Sequence, residues 1–218
     1  MRARIPLLVA AALLVAGSAD ARPKRHLNMP RGWNWPPSAE MKDAGLRCLS
    51  RLDELGVTWK KAPPTRKVAT PIYVPSMELR GLKLEPIWRK GPFVMDCHLA
   101  MALAEVGPEL TALGIQALRF TTIHDYRTIR KNHRHYKILS RHAIGLAMDV
   151  YEMVTTDGKK LVVERRYRHS KLLHQVEKAV IKSGYFRALL TPGNDPRSHP
   201  DHFHFEAAMP LGHKPGQS

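Results

Sequence analysis

The sequence is short of cysteines, of acidic residues and of long apolar runs, and each shortage narrows the class of protein. Its 218 residues include 2 cysteines, Cys48 and Cys97, and neither lies in a CxxC pair. A thiolate zinc site is therefore not expected. The spacing alone leaves open whether the two form a disulfide or remain separate buried thiols.

Acidic residues are outnumbered, with 19 Asp and Glu against 35 Lys and Arg, and the formal net charge is +16. A basic surface attracts polyanions, although it can also be a soluble surface with no dedicated partner. The chain lacks a motif that interleaves aromatic and basic residues, so we do not expect it to bind nucleic acid. If such a basic protein is exported, the expected partner is peptidoglycan or another anionic envelope polymer.

The single long apolar run covers residues 5–16 and follows two arginines. It is too short to span a bilayer comfortably, and small residues ending at Ala21 fit a cleavage point. We therefore predict a signal peptide over residues 1–21, an exported protein in the periplasm or outside the cell, and no transmembrane segment. Residues 22–37 are basic and proline-rich and are expected to form an arm or linker, followed by one domain over residues 38–218.

Hydrophobic periodicity within this domain predicts helices and short strands. Ser38 is a candidate cap for a first helix, and Asp96 for a second helix that Pro108 should interrupt. A third amphipathic helix should end at Gly184. Alternating segments such as IQALRFTTIHDY, AMDVYEMV and HFHFEAA read as strands. We predict an α+β fold in which a small antiparallel sheet is flanked by helices.

Three histidines cluster in the stretch SHPDHFHFE near the C-terminus. In an extended strand, Phe203 and Phe205 would face one side, and His202, His204 and Glu206 the other, with same-face neighbours ~7 Å apart. Such a strand would present metal ligands on one face and a buried aromatic surface on the other.

A second HxH pair, His133 and His135, shows that this pattern alone is weak evidence. With 12 histidines in the chain, about 0.7 such pairs are expected by chance. The second pair lies among basic residues without apolar alternation. We expect it to form a solvated basic loop.

The stretch SRHAIGLAMDV contributes His142 and Asp149. Asp149 begins an otherwise apolar strand, and an aspartate in such a strand is costly to bury unless it is paired or binds a metal. Taken separately, His142 could be a structural histidine and Asp149 a turn residue.

The order SxHxxGxAxD and then HxxHxH resembles the zinc proteins of the lysostaphin, D-alanyl-D-alanine peptidase and hedgehog superfamily. More narrowly, the chain is similar to the bacterial extensin-like C-terminal family, through RCLSRLDELGV and DCHLAMALAEV as well as both histidine motifs. The resemblance covers roughly residues 44–207. The chain departs from many members in having Tyr126 where they carry a further cysteine, and Arg141 in place of a glutamate, which bears on substrate preference.

This resemblance implies that His142, Asp149 and His204 are the three ligands of a zinc ion on the sheet. Two imidazoles and one carboxylate leave the fourth tetrahedral position open, as catalytic zinc sites do. The ligand types favour zinc, with manganese and iron as alternatives. Glu206 could hold a histidine ring through its second nitrogen, or be a surface carboxylate.

The resemblance also implies roles for residues around the ion. His202 corresponds to the histidine beside the catalytic water, and His199 to a further histidine of the pocket. Arg127 is expected to bind a substrate carboxylate or the developing oxyanion, with Arg130 as the alternative. Ser140 would contact substrate or cap the turn.

The activity implied is that of an exported zinc metallopeptidase that hydrolyses a peptide bond of peptidoglycan, in a D-alanine-containing stem peptide or a cross-link. The sequence does not distinguish an endopeptidase from a carboxypeptidase. The alternative is a module that keeps the zinc site and binds cell wall without hydrolysis.

Overall fold

The computed structural model describes residues 28–131 and 134–211, and it describes the backbone alone at positions 130, 131, 134 and 135. The predicted signal peptide and the first part of the predicted arm, up to residue 27, lie outside the described residues. None of the helices in the described part combines the length and the apolar character needed to cross a membrane.

The helices of the described chain are separated by groups of strands. The α-helices are α1 (Ala39–Glu54), α2 (Cys97–Ala112), α3 (Val163–Arg166) and α4 (Lys171–Lys182). The strands are β1 (Lys60–Lys61), β2 (Pro71–Tyr73), β3 (Glu78–Leu79), β4 (Leu82–Pro86), β5 (Met95–Asp96), β6 (Ile115–Thr122), β7 (Thr128–Lys131), β8 (Arg134–Leu139), β9 (Ala147–Thr155), β10 (Lys160–Val162), β11 (Phe186–Leu190) and β12 (Phe203–Ala207). A short 3-10 turn, Arg141–Ile144, leads into β9.

The main sheet has the strand order β11-β12-β9-β6-β4-β3, with β10 also paired to β9. Its pairs are antiparallel except for β4 and β6, which run parallel. The predicted α+β class is confirmed. The sheet has seven strands, however, and is larger than the small sheet that the sequence predicted.

A disulfide joins the two helices that pack on each other. Ser38 Oγ accepts a hydrogen bond from the Met41 amide at 3.2 Å and caps α1, as predicted. Cys48 on α1 is bonded to Cys97, the first residue of α2, and their Cα atoms are 6.1 Å apart. Of the two alternatives left open by the sequence, the structure has the disulfide.

The predicted interruption of the second helix at Pro108 is wrong, because α2 continues through this residue to Ala112. A proline has no amide proton to donate to the carbonyl four residues earlier, here that of Ala104. Arg80 Nη1 donates a hydrogen bond to this carbonyl at 3.4 Å instead. A side chain from outside the helix thus replaces the missing bond.

Strand β9 lies at the centre of the sheet, between β6 and β12. The register places His204 of β12 opposite Asp149 of β9. Phe203 and Phe205 are completely buried in the core, while His204 lines a cavity on the other face. The alternation predicted for this strand is present, and it gives the site a rigid apolar backing.

Two predictions for loops need correction or refinement. The segment around His133 and His135 is not simply a loop, because β7 and β8 pair as an antiparallel hairpin; residue 133 and the side chain of His135 lie outside the described residues. Within the predicted arm, Met29 is buried and Trp33 packs against the core. The division of the chain at residue 37 stays a prediction.

Candidate metal centre

Three buried side chains meet where β9, β12 and the 3-10 turn adjoin. The Nε2 atom of His142 lies 3.1 Å from Asp149 Oδ1 and 3.2 Å from His204 Nδ1. His204 Nδ1 lies 2.7 Å from Asp149 Oδ1. These three residues form the one group of possible metal ligands found among the described residues. The structure brings together the three ligands implied by the sequence.

The outer hydrogen bonds of the two rings determine which nitrogen atoms carry protons. His142 Nδ1 is 2.8 Å from the carbonyl oxygen of Ile123, and a carbonyl can only accept. His204 Nε2 is 3.2 Å from Glu206 Oε1, which as a carboxylate also only accepts. Both outer nitrogens therefore donate, which turns His142 Nε2 and His204 Nδ1 towards each other and towards Asp149 Oδ1. This arrangement requires a cation among the three atoms, either a proton or a metal ion, and the ligand types suit Zn²⁺.

The electrostatics of the cluster agree with this requirement. Burial alone would raise the pKa of Asp149, but the charges and hydrogen bonds of His142 and His204 hold it well below its usual value. Burial lowers the pKa of His204, but hydrogen bonds with Asp149 and Glu206 outweigh this effect and raise it to about 9. Without a metal, a proton on His204 would take the place of the cation, so protons and metal ions compete for the same site.

Glu206 accepts a hydrogen bond from the outer nitrogen of the His204 ring and forms an ion pair with an arginine. Its other carboxylate oxygen accepts a hydrogen bond from Arg187 on β11. Burial would raise the pKa of Glu206, but His204, Arg187 and Arg141 lower it and keep the group ionised. Glu206 is thus a buried partner of a candidate ligand, not a surface carboxylate.

His202 faces the cluster from one side without belonging to it. Its Nδ1 is 2.7 Å from Asp201 Oδ1, and its Nε2 is 3.5 Å from Asp149 Oδ1. The ring stacks on Tyr151, with centroids 4.7 Å apart and planes inclined by 18°. Because the Asp201 carboxylate accepts from Nδ1, the Nε2 lone pair points towards the candidate ligands and is free to accept a proton.

The other predicted residues of the pocket are also near the cluster. His199 Nδ1 bonds Asp195 Oδ2 at 3.0 Å, and burial, with the nearby histidines, lowers its pKa to about 4. Arg127 Nη2 is 3.9 Å from Asp149 Oδ2. Ser140 Oγ accepts from the His142 amide at 3.3 Å and caps the turn. The side chain of Arg130 lies outside the described residues.

A cavity of about 480 Å³ opens over these groups. Its lining includes Arg127, Ser140, Asp149, His199, His202, His204 and Glu206. This volume suits a peptide fragment rather than an ion alone. The predicted residues, apart from Arg130 and the buried His142, thus share one accessible site.

Several residues of the site were not predicted from the sequence, among them Tyr151, Asp201 and Arg187. Tyr151 lies two positions after Asp149 on the same strand, and the period of two was a signal that could have identified it. Asp201 directly precedes His202, but adjacency alone predicts no hydrogen bond. Arg187 gave no signal, because only the pairing of β11 with β12 brings it to Glu206.

The chain is an α+β domain in which a buried His₂Asp cluster, a group that could hold a metal ion, lies beneath an open cavity. The family described as Extensin-like protein C-terminus matches residues 46–214, well over half of the chain, and the chain belongs to this family. No curated protein and no solved structure matches the chain significantly.

Proposed function

We propose that this protein is an exported zinc metallopeptidase that hydrolyses a peptide bond of peptidoglycan, in a D-alanine-containing stem peptide or a cross-link. The observation that carries the proposal is the convergence of His142 Nε2, His204 Nδ1 and Asp149 Oδ1 within 3.2 Å, beneath an open cavity. A structural zinc site is closed by four protein ligands, whereas a catalytic one keeps a position for substrate or water.

His142, Asp149 and His204 would hold the ion. When bound, zinc supplies a Lewis acid that polarises a carbonyl group and lowers the pKa of a water molecule to about 7. Through its bond to Nε2, Glu206 would keep His204 in the tautomer that offers Nδ1 as a ligand, and the Ile123 carbonyl would do the same for His142 Nε2. Such outer partners raise ligand basicity and fix the ring orientation.

His202 is the proposed general base. Its Nε2 lone pair faces the cluster, while Asp201 fixes the opposite nitrogen and stabilises the imidazolium that forms when Nε2 accepts a proton from the attacking water. The same nitrogen can then return the proton to the leaving amine. The stacked Tyr151 restricts rotation of the ring. Burial, with the charges of Asp201 and Asp149, raises the pKa of Tyr151 to about 12, so its hydroxyl stays protonated.

Arg127 is the proposed partner of negative charge on the substrate. Its Nε is bonded to Asp125 Oδ2 at 3.1 Å, which leaves guanidinium donors for the cavity. These can bind the oxyanion that develops at the attacked carbonyl, or a terminal carboxylate. His199 is neutral at pH 7, because its pKa is lowered to about 4, and it is suited to hydrogen bonding with substrate rather than to proton donation.

Three further observations support export and a cell-wall substrate. The Cys48–Cys97 disulfide suits an oxidising compartment. The net charge of +16 suits contact with an anionic polymer. The motifs SxHxxGxAxD and HxxHxH, whose histidines and aspartate meet here, resemble those of the lysostaphin and D-alanyl-D-alanine peptidase superfamily.

The test is incubation of the purified, zinc-loaded chain with intact sacculi and with defined muropeptides, followed by mass analysis of the products. Release of D-alanine would identify a carboxypeptidase, and cleavage of dimeric muropeptides an endopeptidase. Binding to sacculi with no new product from either substrate would contradict the peptidase proposal and favour a non-catalytic zinc module. An exposed-site variant, His169→Ala, serves as the matched control.

A further inference from the structure

Two arginines, Arg187 and Arg141, act on the single carboxylate of Glu206, which lines the cavity. Arg187 donates a hydrogen bond to Glu206, and the charges of both residues also act on Arg141. Two guanidinium groups therefore share one carboxylate. Arg141 is only 2% exposed, and among the described residues its Nε and Nη1 atoms are buried with no hydrogen-bond partner. Buried charge of this kind is costly unless a counter-charge lies near.

The two guanidinium groups differ in their access to the cavity. Arg187 lines it, and its side chain is 45% exposed. Arg187 lies where the register of β11 against β12 shifts, between Phe186 and Ala188, as it does at a β-bulge. Bulges redirect side chains from the regular alternation of a strand. Arg187 can therefore bond Glu206 and still present further donors to a bound molecule.

Arg187 and Arg127 both line the cavity and contact different residues of the cluster. The contacts run from Arg127 to Asp149, from Asp149 to His204, from His204 to Glu206 and from Glu206 to Arg187. A peptide bound over the cluster would thus meet two separate guanidinium groups in one cavity. Arg127 already has the role of binding negative charge in the proposed reaction.

We infer that Arg187, backed by the buried charge of Arg141, forms a second anion subsite, separate from Arg127, that binds a carboxylate of the substrate. The substrate class is then a peptide with two carboxylates. The reaction itself rests on the proposed peptidase function, but the subsite can be tested by binding alone.

The alternative is that the two arginines only stabilise ionised Glu206. That role needs one cation in contact, which Arg187 already supplies through one nitrogen. It does not account for the partial exposure of Arg187 to the cavity or for the second, buried guanidinium of Arg141, two of whose nitrogen atoms have no hydrogen-bond partner among the described residues. A substrate carboxylate at Arg187 would balance the surplus charge.

The experiment uses two synthetic peptides, N-acetyl-L-glutamyl-D-alanyl-D-alanine and its L-glutaminyl counterpart, which differ in one carboxylate. Dissociation constants are measured by calorimetry with zinc-loaded protein carrying His202→Gln, in which hydrolysis should be slow. We expect the glutamyl peptide to bind about 10- to 100-fold more tightly, as for a charge-assisted hydrogen bond. Adding Arg187→Gln should reduce this preference to within about twofold.

The matched control is Arg89→Gln, which removes the same charge at an exposed position outside the cavity lining and should retain the preference. Zinc content is measured for every variant. If Arg187→Gln does not fold or loses zinc, Arg187→Lys replaces it, and its single ammonium should weaken the preference.

Equal binding of the two peptides by the Arg187-containing protein would overturn the subsite, and so would an undiminished preference in the Arg187 variants. A preference that depends on Arg187, together with no hydrolysis of either peptide by the unmodified protein, would leave the subsite standing and refute the peptidase. Hydrolysis of the peptides with no binding preference between them would support the peptidase and refute the subsite.

Discussion

His202 and His204 lie two residues apart in the same cavity, and their substitutions should have different effects. His204 Nδ1 lies 2.7 Å from Asp149 Oδ1 and belongs to the candidate ligand set. His202 Nε2 lies 3.5 Å from the same oxygen, and its ring is held from outside by Asp201 and Tyr151. The first histidine should therefore be needed for metal binding and the second for proton transfer.

Replacing His204 with alanine removes one of the three candidate ligands and the hydrogen bond to Glu206 Oε1, while Arg187 still donates to the other carboxylate oxygen. Loss of an outer partner alone costs about 10- to 100-fold in metal affinity, and loss of a ligand should cost more. We expect His204→Ala to lose both zinc and activity. His202→Ala should keep most of its zinc and lose activity by ~10²- to 10⁴-fold, which corresponds to about 2.7–5.5 kcal/mol of transition-state stabilisation.

The assay combines elemental analysis of each purified variant with hydrolysis of a defined muropeptide. His202→Gln can hydrogen-bond water but cannot accept its proton at neutral pH, and it should be impaired like His202→Ala. A double change of His133 and His135 should leave zinc and activity intact, as a control for loss of histidine itself. Activity that follows bound zinc alone in the His202 and His204 variants would refute the assignment of His202 as the base.

Four other outcomes are expected. Metal analysis should find about one zinc per chain, and Asp149→Ala should abolish tight binding. Full zinc retention in that variant would refute the proposed set of ligands. Zinc affinity should increase with pH up to about 9, by up to ~tenfold per unit, because a proton on His204 competes with the ion; calorimetry showing the same affinity at pH 6 and 8 would contradict this. Replacing Cys48 and Cys97 with alanine should lower the free energy of unfolding, measured by urea unfolding, by about 4 kcal/mol in the chain-entropy model for a separation of 49 residues. The zinc content should not change, because neither cysteine lines the cavity, and loss of zinc would contradict this expectation. Binding to sacculi should weaken steeply with added salt, whereas hydrolysis of a small muropeptide should respond much less; equal salt sensitivity would argue against tethering by the charge of +16.

Local patterns were sufficient to predict most elements of the fold. The cap at Ser38, the strand alternation around Phe203 and Phe205 and the end of a helix near Gly184 depend on neighbours within a few residues. The continuation of α2 through Pro108 could not be predicted in this way. It depends on Arg80, which is distant in sequence and reaches the free carbonyl of Ala104 only in the folded chain.

The sequence by itself pointed to the candidate ligands, because His142, Asp149 and His204 occur in two motifs that resemble those of a known zinc superfamily, and a period of two placed His204 on the strand face away from Phe203 and Phe205. Only the tertiary structure decided how these residues are supported. Strand pairing brings Arg187 to Glu206, ring stacking brings Tyr151 to His202, and helix packing brings Cys48 to Cys97. Each of these contacts joins residues at least 19 positions apart. Local periodicity carries no information about such pairs, because the packing of the whole sheet and its helices sets their distances.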